Sequence, residues 1–393
     1  MRVRVWRVQQ MTADKETTVQ AIRTGQPDAT ESDQGVAQSI LSSVSADAFD
    51  EWYQDRKFAE NIRNGTPYFN GPSEVKPPDR QSPSSLLQCH RKKFYNELNA
   101  PAEEGDPRGI FWIGSRFEEE VALPFLREAV AGADEYVTNS LWVDFTVQTE
   151  AGEVQIRGET DPVIVDPDSK PKVLTEIKSK KSVADVETPS SHHRAQAHAY
   201  MYGLSQEYDR QLTDALIIYG GRTNLNIQPF HVTFDPVFWR QTVLDWAAEH
   251  TSYRLRDELP PADPEHDWEC TFCSYRERCG KGSSEYEDTG ASGFLPGVAT
   301  YPRSKVTEYL DAHDGAKLTP TLAHQYPELA TRYQVLDWHC VACSTAFAWD
   351  DPEWDGEPAT PPLCPECKKS GTPAPLRAPS PEQQASTGGD LDG

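Results

Sequence analysis

The sequence predicts an α/β fold: a mixed β-sheet flanked by helices, followed by a small cysteine-rich module. Three observations predict it. Between residues 110 and 259, stretches of two-residue apolar alternation are interleaved with stretches of helical spacing. Three of the alternating stretches stand in a row, separated by turn residues. Near the C-terminus, two C-x2-C pairs stand twenty residues apart.

Taken in order, residues 1–81 form an N-terminal extension. Residues 1–45 are rich in Thr, Gln, Asp and Ser, the composition of a disordered segment. Phe49, Trp52, Tyr53 and Phe58 recur at helical spacing and predict a helix over 46–63. NGTPYFNGPSEVKPPDRQSP is a Pro/Gly-rich connector. The main domain spans 82–282. Residues 110–130 read as a helix. LWVDFTVQTE (141–150), EVQIRGETDPVIVD (153–166) and KVLTEIKS (172–179) read as three antiparallel strands. A helix follows over 191–205, then the strands ALIIYGG and NIQPFHVTF, then a long helix over 234–259. This order builds an α/β core with a mixed sheet. Residues 283–333 are a linker with two short helices, the first capped by Ser304 and the second opened by Pro320. Residues 334–370 hold the two cysteine pairs, and 371–393 read as a disordered tail.

Lys and Arg number 38 against 62 Asp and Glu, a net charge of −24 over 393 residues. Excess carboxylate with scarce lysine fits a surface that stays hydrated in concentrated salt, as in a halophile. There the charge is screened within about 3 Å at 1 M. Overall acidity therefore does not exclude a polyanionic partner at a locally basic site. No apolar run is long enough to span a bilayer. MRVRVWRVQQMTADKE lacks the apolar core and cleavage site of a secretion signal. A cytoplasmic location without a membrane partner is expected, and there eight cysteines point to metal or cluster ligation rather than disulfides.

TEIKSKKS (175–182) carries the candidate chemistry. Side chains alternate along a strand, so Leu174, Glu176 and Lys178 share one face. Asp161, on the preceding strand, falls beside Glu176 across a short turn. Two carboxylates on adjacent strands make a hard oxygen site for Mg²⁺ or Mn²⁺. Lys178 is placed to orient an attacking water and offset charge on a phosphate. A lone E-x-K is otherwise more often a surface ion pair. Glu118, on the helix before the sheet, offers a further carboxylate, with Gly114 permitting close helix–strand approach. Gln196 and Tyr200 lie one turn apart on the helix after the third strand. Arg91, Lys92, Lys93, Lys180 and Lys181 are candidate phosphate contacts. Tyr95, Trp112 and Tyr202 are weaker candidates for base stacking, since aromatics at helical spacing more often build core. His192, His193 and His198 are read as helix-surface residues.

Four motifs in this order, Gly114-x-x-x-Glu118, Gly158-x-x-Asp161, Glu176-x-Lys178 and Gln196-x-x-x-Tyr200, resemble the RecB-like branch of the PD-(D/E)XK nucleases over about residues 82–280. Cys89 opens that region, and Cys270, Cys273 and Cys279 close it. One upstream cysteine plus C-x2-C-x5-C suits a [4Fe–4S] cluster that clips the two ends together, with Zn²⁺ as the competing occupant. This arrangement resembles the iron–sulfur members, the CRISPR-associated exonuclease family above all, because helicase motifs are absent. Cys340, Cys343, Cys364 and Cys367 have zinc-ribbon spacing.

The resemblance implies a restriction-endonuclease-like core with an added zinc ribbon, acting as a Mg²⁺- or Mn²⁺-dependent exonuclease on single-stranded DNA or overhangs. Its catalytic residues would be Asp161, Glu176, Lys178, Gln196 and Tyr200. Its metal would be held by Glu118, Asp161, Glu176 and the carbonyl of Ile177. In CRISPR systems the family trims prespacers beside an integrase complex. The alternatives are a related nuclease of DNA repair or of viral or mobile-element replication, and a non-catalytic DNA-binding or assembly subunit. Many members carry a histidine ligand after the first glycine. GSRFEEE has none, so Glu118 takes its place, with Glu119 as runner-up.

Overall fold

In the computed structural model, residues 43–63, 75–103, 108–284, 288, 290–297, 301–357 and 360–386 are described. The chain divides into two units, Met1–Gly71 and Pro72–Gly393. In the first, helix α1 runs over Ala46–Arg63, as the aromatic spacing predicts. The expected disorder of 1–45 falls almost wholly outside the described residues.

The second unit begins with the short strand β1 (Arg80–Gln81) and helix α2 (His90–Glu97). Helix α3 (Arg108–Phe117) continues through π-helical turns over Glu118–Ala122 and Leu126–Val130. Strands β2 (Tyr136–Thr138), β3 (Trp142–Thr149), β4 (Gly152–Glu159), β5 (Val163–Val165) and β6 (Pro171–Lys180) follow. Helix α4 (Ser191–Glu207) leads to β7 (Asp214–Gly221) and β8 (Ile227–Thr233). Helical turns from Pro236 then enter α5 (Asp245–Leu255).

One expectation needs correcting. The second predicted strand, 153–166, is two strands in two sheets. β4 joins β1 and β3, whereas β5 joins the sheet β2-β5-β6-β7-β8. The break falls at Thr160-Asp161-Pro162. Proline has no N–H to give a ladder and fixes its own φ, so an interior strand does not run through it. The five-stranded sheet is mixed: β6 and β7 are parallel, and its other pairings are antiparallel.

Alternation along β5 and β6 sends side chains into two cores. Val163, Val165 and Leu174 pack with α4, α5, β3 and β4 on one face. Ile164 and Ile177 pack with Phe117, Ala122 and Leu126 of α3 and its continuation on the other. The sheet is thus covered by α3 on one face and by α4 on the other, and both helices reach the C-terminal half of β6.

After α5 the chain is more ordered than its composition suggests. Arg278 is fully buried, lies 3.3 Å from Asp288, and donates to the carbonyls of Ala291, Ser292 and Gly293. Phe294 and Leu295, inside the expected linker, are buried. Helices α6 (Arg303–Ala312) and α7 (Pro320–Gln325) follow. Pro302 rather than Ser304 caps α6, while Thr319 caps α7 with Pro320 in its first turn. Strands β9 (Trp338–Cys340), β10 (Ala346–Phe347) and β11 (Leu376–Arg377) make a small sheet, with helix α8 (Pro365–Lys369) beside it. Part of the expected tail therefore belongs to the module. Helix α9 (Pro381–Ser386) brings Gln384, which accepts from the Phe294 N–H at 2.8 Å and donates to its carbonyl at 2.6 Å. Residues 387–393 lie outside the described residues. No described helix is long and apolar enough to cross a membrane.

A buried charge network ties α2 to α5. Glu97 accepts from Lys93 at 2.5 Å, from His250 Nε2 at 2.8 Å and from Arg254 at 2.5 Å. Burial pushes the Glu97 carboxyl up, but His250 and Lys93 override it and hold the group at about 2. Burial pushes His250 down to about 4, against the pull of Glu97. His250 is therefore neutral, donating from Nε2 and leaving Nδ1 without a partner. Both folded values lie below the unfolded ones. Stability is then full above about pH 6.5, falls as the unfolded chain takes up protons at His250, and falls further from about pH 4.5 towards 2 through Glu97. Glu97→Gln should flatten the lower limb, removing on the order of 3 kcal/mol of pH-dependent stability. Urea midpoints between pH 2 and 7 read it, and an unchanged acid limb would refute the assignment.

Candidate active site

The break between β4 and β5 places Asp161 at the edge of β6. Its Oδ2 accepts from the backbone N–H of Ile177 at 2.6 Å. Glu176 and Lys178, on either side of Ile177, point to the same side. Lys178 Nζ lies 3.7 Å from Asp161 Oδ2 and in contact with Glu176 Oε1. The sequence placed Asp161 on a strand; it sits instead in a bend, but beside the residues expected.

Glu176 is fully buried, its Oε1 paired with the Lys178 ammonium and its Oε2 without a hydrogen-bond partner. Burial, then the charge of Asp161, push Glu176 up to about 8 despite Lys178. Burial opposes the charge on Lys178, yet Glu176 and Asp161 outweigh it and raise its pKa. Half-buried Glu118 approaches from α3, where burial and then Asp161 push it up to about 7. A buried carboxylate with one orphaned oxygen, near further acids, offers donors suited to a hard divalent cation. Asp161 and Glu176 fit such an ion, while Glu118 stands farther off, since the three do not bring oxygens within 4.8 Å of one another. Glu119 is exposed and paired with Arg116.

Two close approaches set this geometry. A Cβ on Gly220 of β7 would lie 2.1 Å from the ring of buried Phe117, so the glycine lets α3 dock and fixes Glu118. A Cβ on Gly158 would come 2.8 Å from Pro83, beside the Tyr200 hydroxyl. Gly114 is different: a Cβ there would meet Ser179 at an ordinary 3.5 Å, so the expected need for glycine is absent.

From the opposite face, α4 brings Gln196 and Tyr200, both buried. Tyr200 donates to the carbonyl of Glu159 at 2.6 Å, and Gln196 Nε2 lies 3.5 Å from the Tyr200 oxygen. Both side chains therefore act on the bend that carries Asp161. Gln196 Oε1 is buried without a partner. Of the three histidines of α4, His192 and His193 are partly buried and His198 fully so. His198 is buried between the Arg194 carbonyl and the Asp235 N–H. His193 Nδ1 lies 2.7 Å from the Tyr219 hydroxyl, and burial pushes His193 down to about 2.

The five basic candidates separate. Lys93 is buried with Glu97 and Ser85 and is out of reach of a ligand. Arg91 donates to the Pro260 carbonyl at 2.7 Å beside Cys279. Lys92 and Lys181 are exposed, and Lys180 lies 4.6 Å over the Tyr219 ring. Of the stacking candidates, Tyr95 is buried, Tyr202 packs against Phe145, and Trp112 is exposed.

The two cysteine quartets differ in size. Among the described residues, the only set of three or more His, Cys, Asp or Glu side chains with ligand atoms within 4.8 Å of one another is Cys340, Cys343, Cys364 and Cys367. Cys340–Cys367 and Cys343–Cys364 sulfur separations are both 3.7 Å. Cys89, Cys270, Cys273 and Cys279 instead line one wider cavity together with Lys92 and Tyr95. Burial raises the thiols of Cys89, Cys273 (to about 11) and Cys279.

A family model described as the PD-(D/E)XK nuclease superfamily matches residues 73–280. No curated protein matches the chain. A solved structure described as the crystal structure of SSO0001 is 17% identical with a TM-score of 0.40, over 60% of this chain and 98% of that one.

Removing the hydroxyl that grips the Asp161 bend should loosen the site more than the fold. Tyr200→Phe is expected to cost about 1 kcal/mol of stability and roughly tenfold or more in turnover through misplacement of Asp161. Urea midpoints and single-turnover rates on the same variant measure both; turnover equal to wild type would remove Tyr200 from the site.

Proposed function

The chain belongs to the PD-(D/E)XK nuclease superfamily, and from that premise we propose that it is a Mg²⁺- or Mn²⁺-dependent deoxyribonuclease that trims single-stranded DNA ends. The observation that carries the proposal is Glu176: a fully buried carboxylate with one oxygen on Lys178 and the other without a partner, and with Asp161 beside it. Asp161, Glu176, the Ile177 carbonyl and Glu118 would hold the cation. When bound, it supplies Lewis acidity to the phosphodiester and to water. Lys178, kept protonated by the two acids, holds the attacking water and offsets charge in the transition state. Ile177 and Tyr200 keep Asp161 in place.

Zinc in the C-terminal quartet is supported by size. Four sulfurs about 2.3 Å from a tetrahedral ion lie about 3.8 Å apart, against 3.7 Å here. The wider cavity among Cys89, Cys270, Cys273 and Cys279 favours a [4Fe–4S] cluster over a single ion. That quartet and the order of the four motifs support a role like that of the CRISPR-associated exonucleases, trimming prespacers beside an integrase complex. The charge of −24 with scarce lysine supports a cytoplasmic protein of a halophile. The intact Asp161, Glu176 and Lys178 weigh against a non-catalytic subunit.

Protein purified without oxygen should carry one zinc and about four irons per chain and digest end-labelled single-stranded DNA with Mn²⁺ at high salt. Lys178→Ala should lower the rate by about 10²- to 10³-fold with both metals retained. Equal rates in variant and wild type would defeat the enzymatic reading.

A further inference from the structure

Exposed apolar side chains scattered singly need no explanation, but two large rings lining one groove form a patch that does. Trp268 is 63% exposed and Phe272 is 75% exposed, and both stand on one short 3-10 turn, Asp267–Phe272. They line a long groove with Lys92, Lys180 and His193. The lining includes Lys180, two residues beyond Lys178 on β6, and Cys89 of the first cysteine quartet. Trp268 and Phe272 bracket Cys270, and Phe272 adjoins Cys273.

We propose that Trp268 and Phe272 form a base-stacking platform that receives the single strand of DNA leading to the active site, and that the first cysteine quartet holds this platform in place. The proposal rests on the nuclease reading and adds how the strand is gripped. Two features favour nucleobases over a protein as the occupant. The aromatic faces lie in a groove continuous with the candidate catalytic strand. Exposed Lys92 and the Lys180 ammonium, held over the Tyr219 ring, flank them as phosphate partners. The same lining also holds Asp185, Glu187, Glu265 and Glu269, so the grip must come from the rings rather than from net charge. Stacking is sequence-tolerant, since every base offers a π-face, which suits an enzyme that trims ends. Spacing alone could not find these residues, because the Cys motif around them reads as ligation only.

The test is binding of a labelled dT oligonucleotide to the metallated full chain without added divalent cation, alongside an abasic strand of equal length. Trp268→Ala and Phe272→Ala should each weaken dT binding by about 5- to 150-fold. Wild type should bind the abasic strand as weakly as the double variant binds dT. With two lysines at phosphates, the log–log salt slope should be near −1.4, from about −0.7 per contact. Trp142→Ala, an exposed aromatic on β3, should bind as wild type. Equal affinity of wild type for dT and abasic strands overturns the platform, as does dT binding by the double variant within twofold of wild type. Trp268→Phe and Phe272→Tyr should recover binding; a loss they fail to recover is a loss of fold and also overturns it. Mn²⁺-dependent hydrolysis of bis(p-nitrophenyl) phosphate by wild type tests the nuclease reading separately, since that diester has no bases to stack.

Discussion

The hydrogen bond from the Ile177 N–H to Asp161 Oδ2 is the contact on which the site depends. β4 and β5 belong to different sheets, so the chain must cross between them, and Asp161 is the residue at the crossing. Tethering it to the backbone of β6 fixes the crossing against the central strand. The tether also sets the chemistry. Residues 176 and 178 flank Ile177 and share a face, so an acid bonded at 177 necessarily sits beside both. Tyr200 grips the same bend from the α4 side through the Glu159 carbonyl, and Phe117 against Gly220 fixes Glu118 from the α3 side. The two faces of the sheet thus converge on one edge of β6.

The two cysteine sites obey a different logic, that of size. At the C-terminus, β9, β11 and α8 draw four sulfurs into a tight group. Between α2 and the loop after α5, the sulfurs stand around a wider cavity. Here the protein secures the ends by other means as well. Glu97 is buried with charges from both α2 and α5, and Arg278, next to Cys279, is held by Asp288 and three carbonyls. The cysteine loop is thereby coupled to the segment 291–293 that leads into the C-terminal module. The Gln384 clasp on Phe294 closes that segment from the far side.

Period-two alternation made much of this legible in the sequence. It put Glu176 and Lys178 on one face of β6, and the strand and helix spans through the main domain follow the same patterning. What escaped were facts that depend on where a chain turns or what lies opposite. Pro162 signalled a break in the second strand, yet apolar residues on both sides of it read as one strand. Lys93 looks like its neighbours Arg91 and Lys92 until Glu97, one turn later, is seen to be buried beside it. The partners of Glu97 are 153 and 157 positions away, and no local pattern reports them. Trp268 and Phe272 were hidden by the cysteines they bracket. The tail past residue 371 is polar, but β11 needs only two paired residues and α9 only Gln384 to be held.

The charge of the protein bears on how it holds a strand. At −24 overall, long-range attraction of DNA is unavailable, and at high salt the few lysines near the site act only over a few ångströms. A grip built from many phosphate contacts would lose affinity steeply as salt rises. Stacking on exposed rings carries no such dependence, because removing base and ring faces from water is an apolar and dispersion effect that excluded salts strengthen. The proposed platform of Trp268 and Phe272, in a groove whose lysines and Arg194 are offset by four acids, is therefore physically consistent. On that proposal the strand would be held by its bases and charge left for the scissile phosphate, where Glu176 and Asp161 raise the pKa of Lys178.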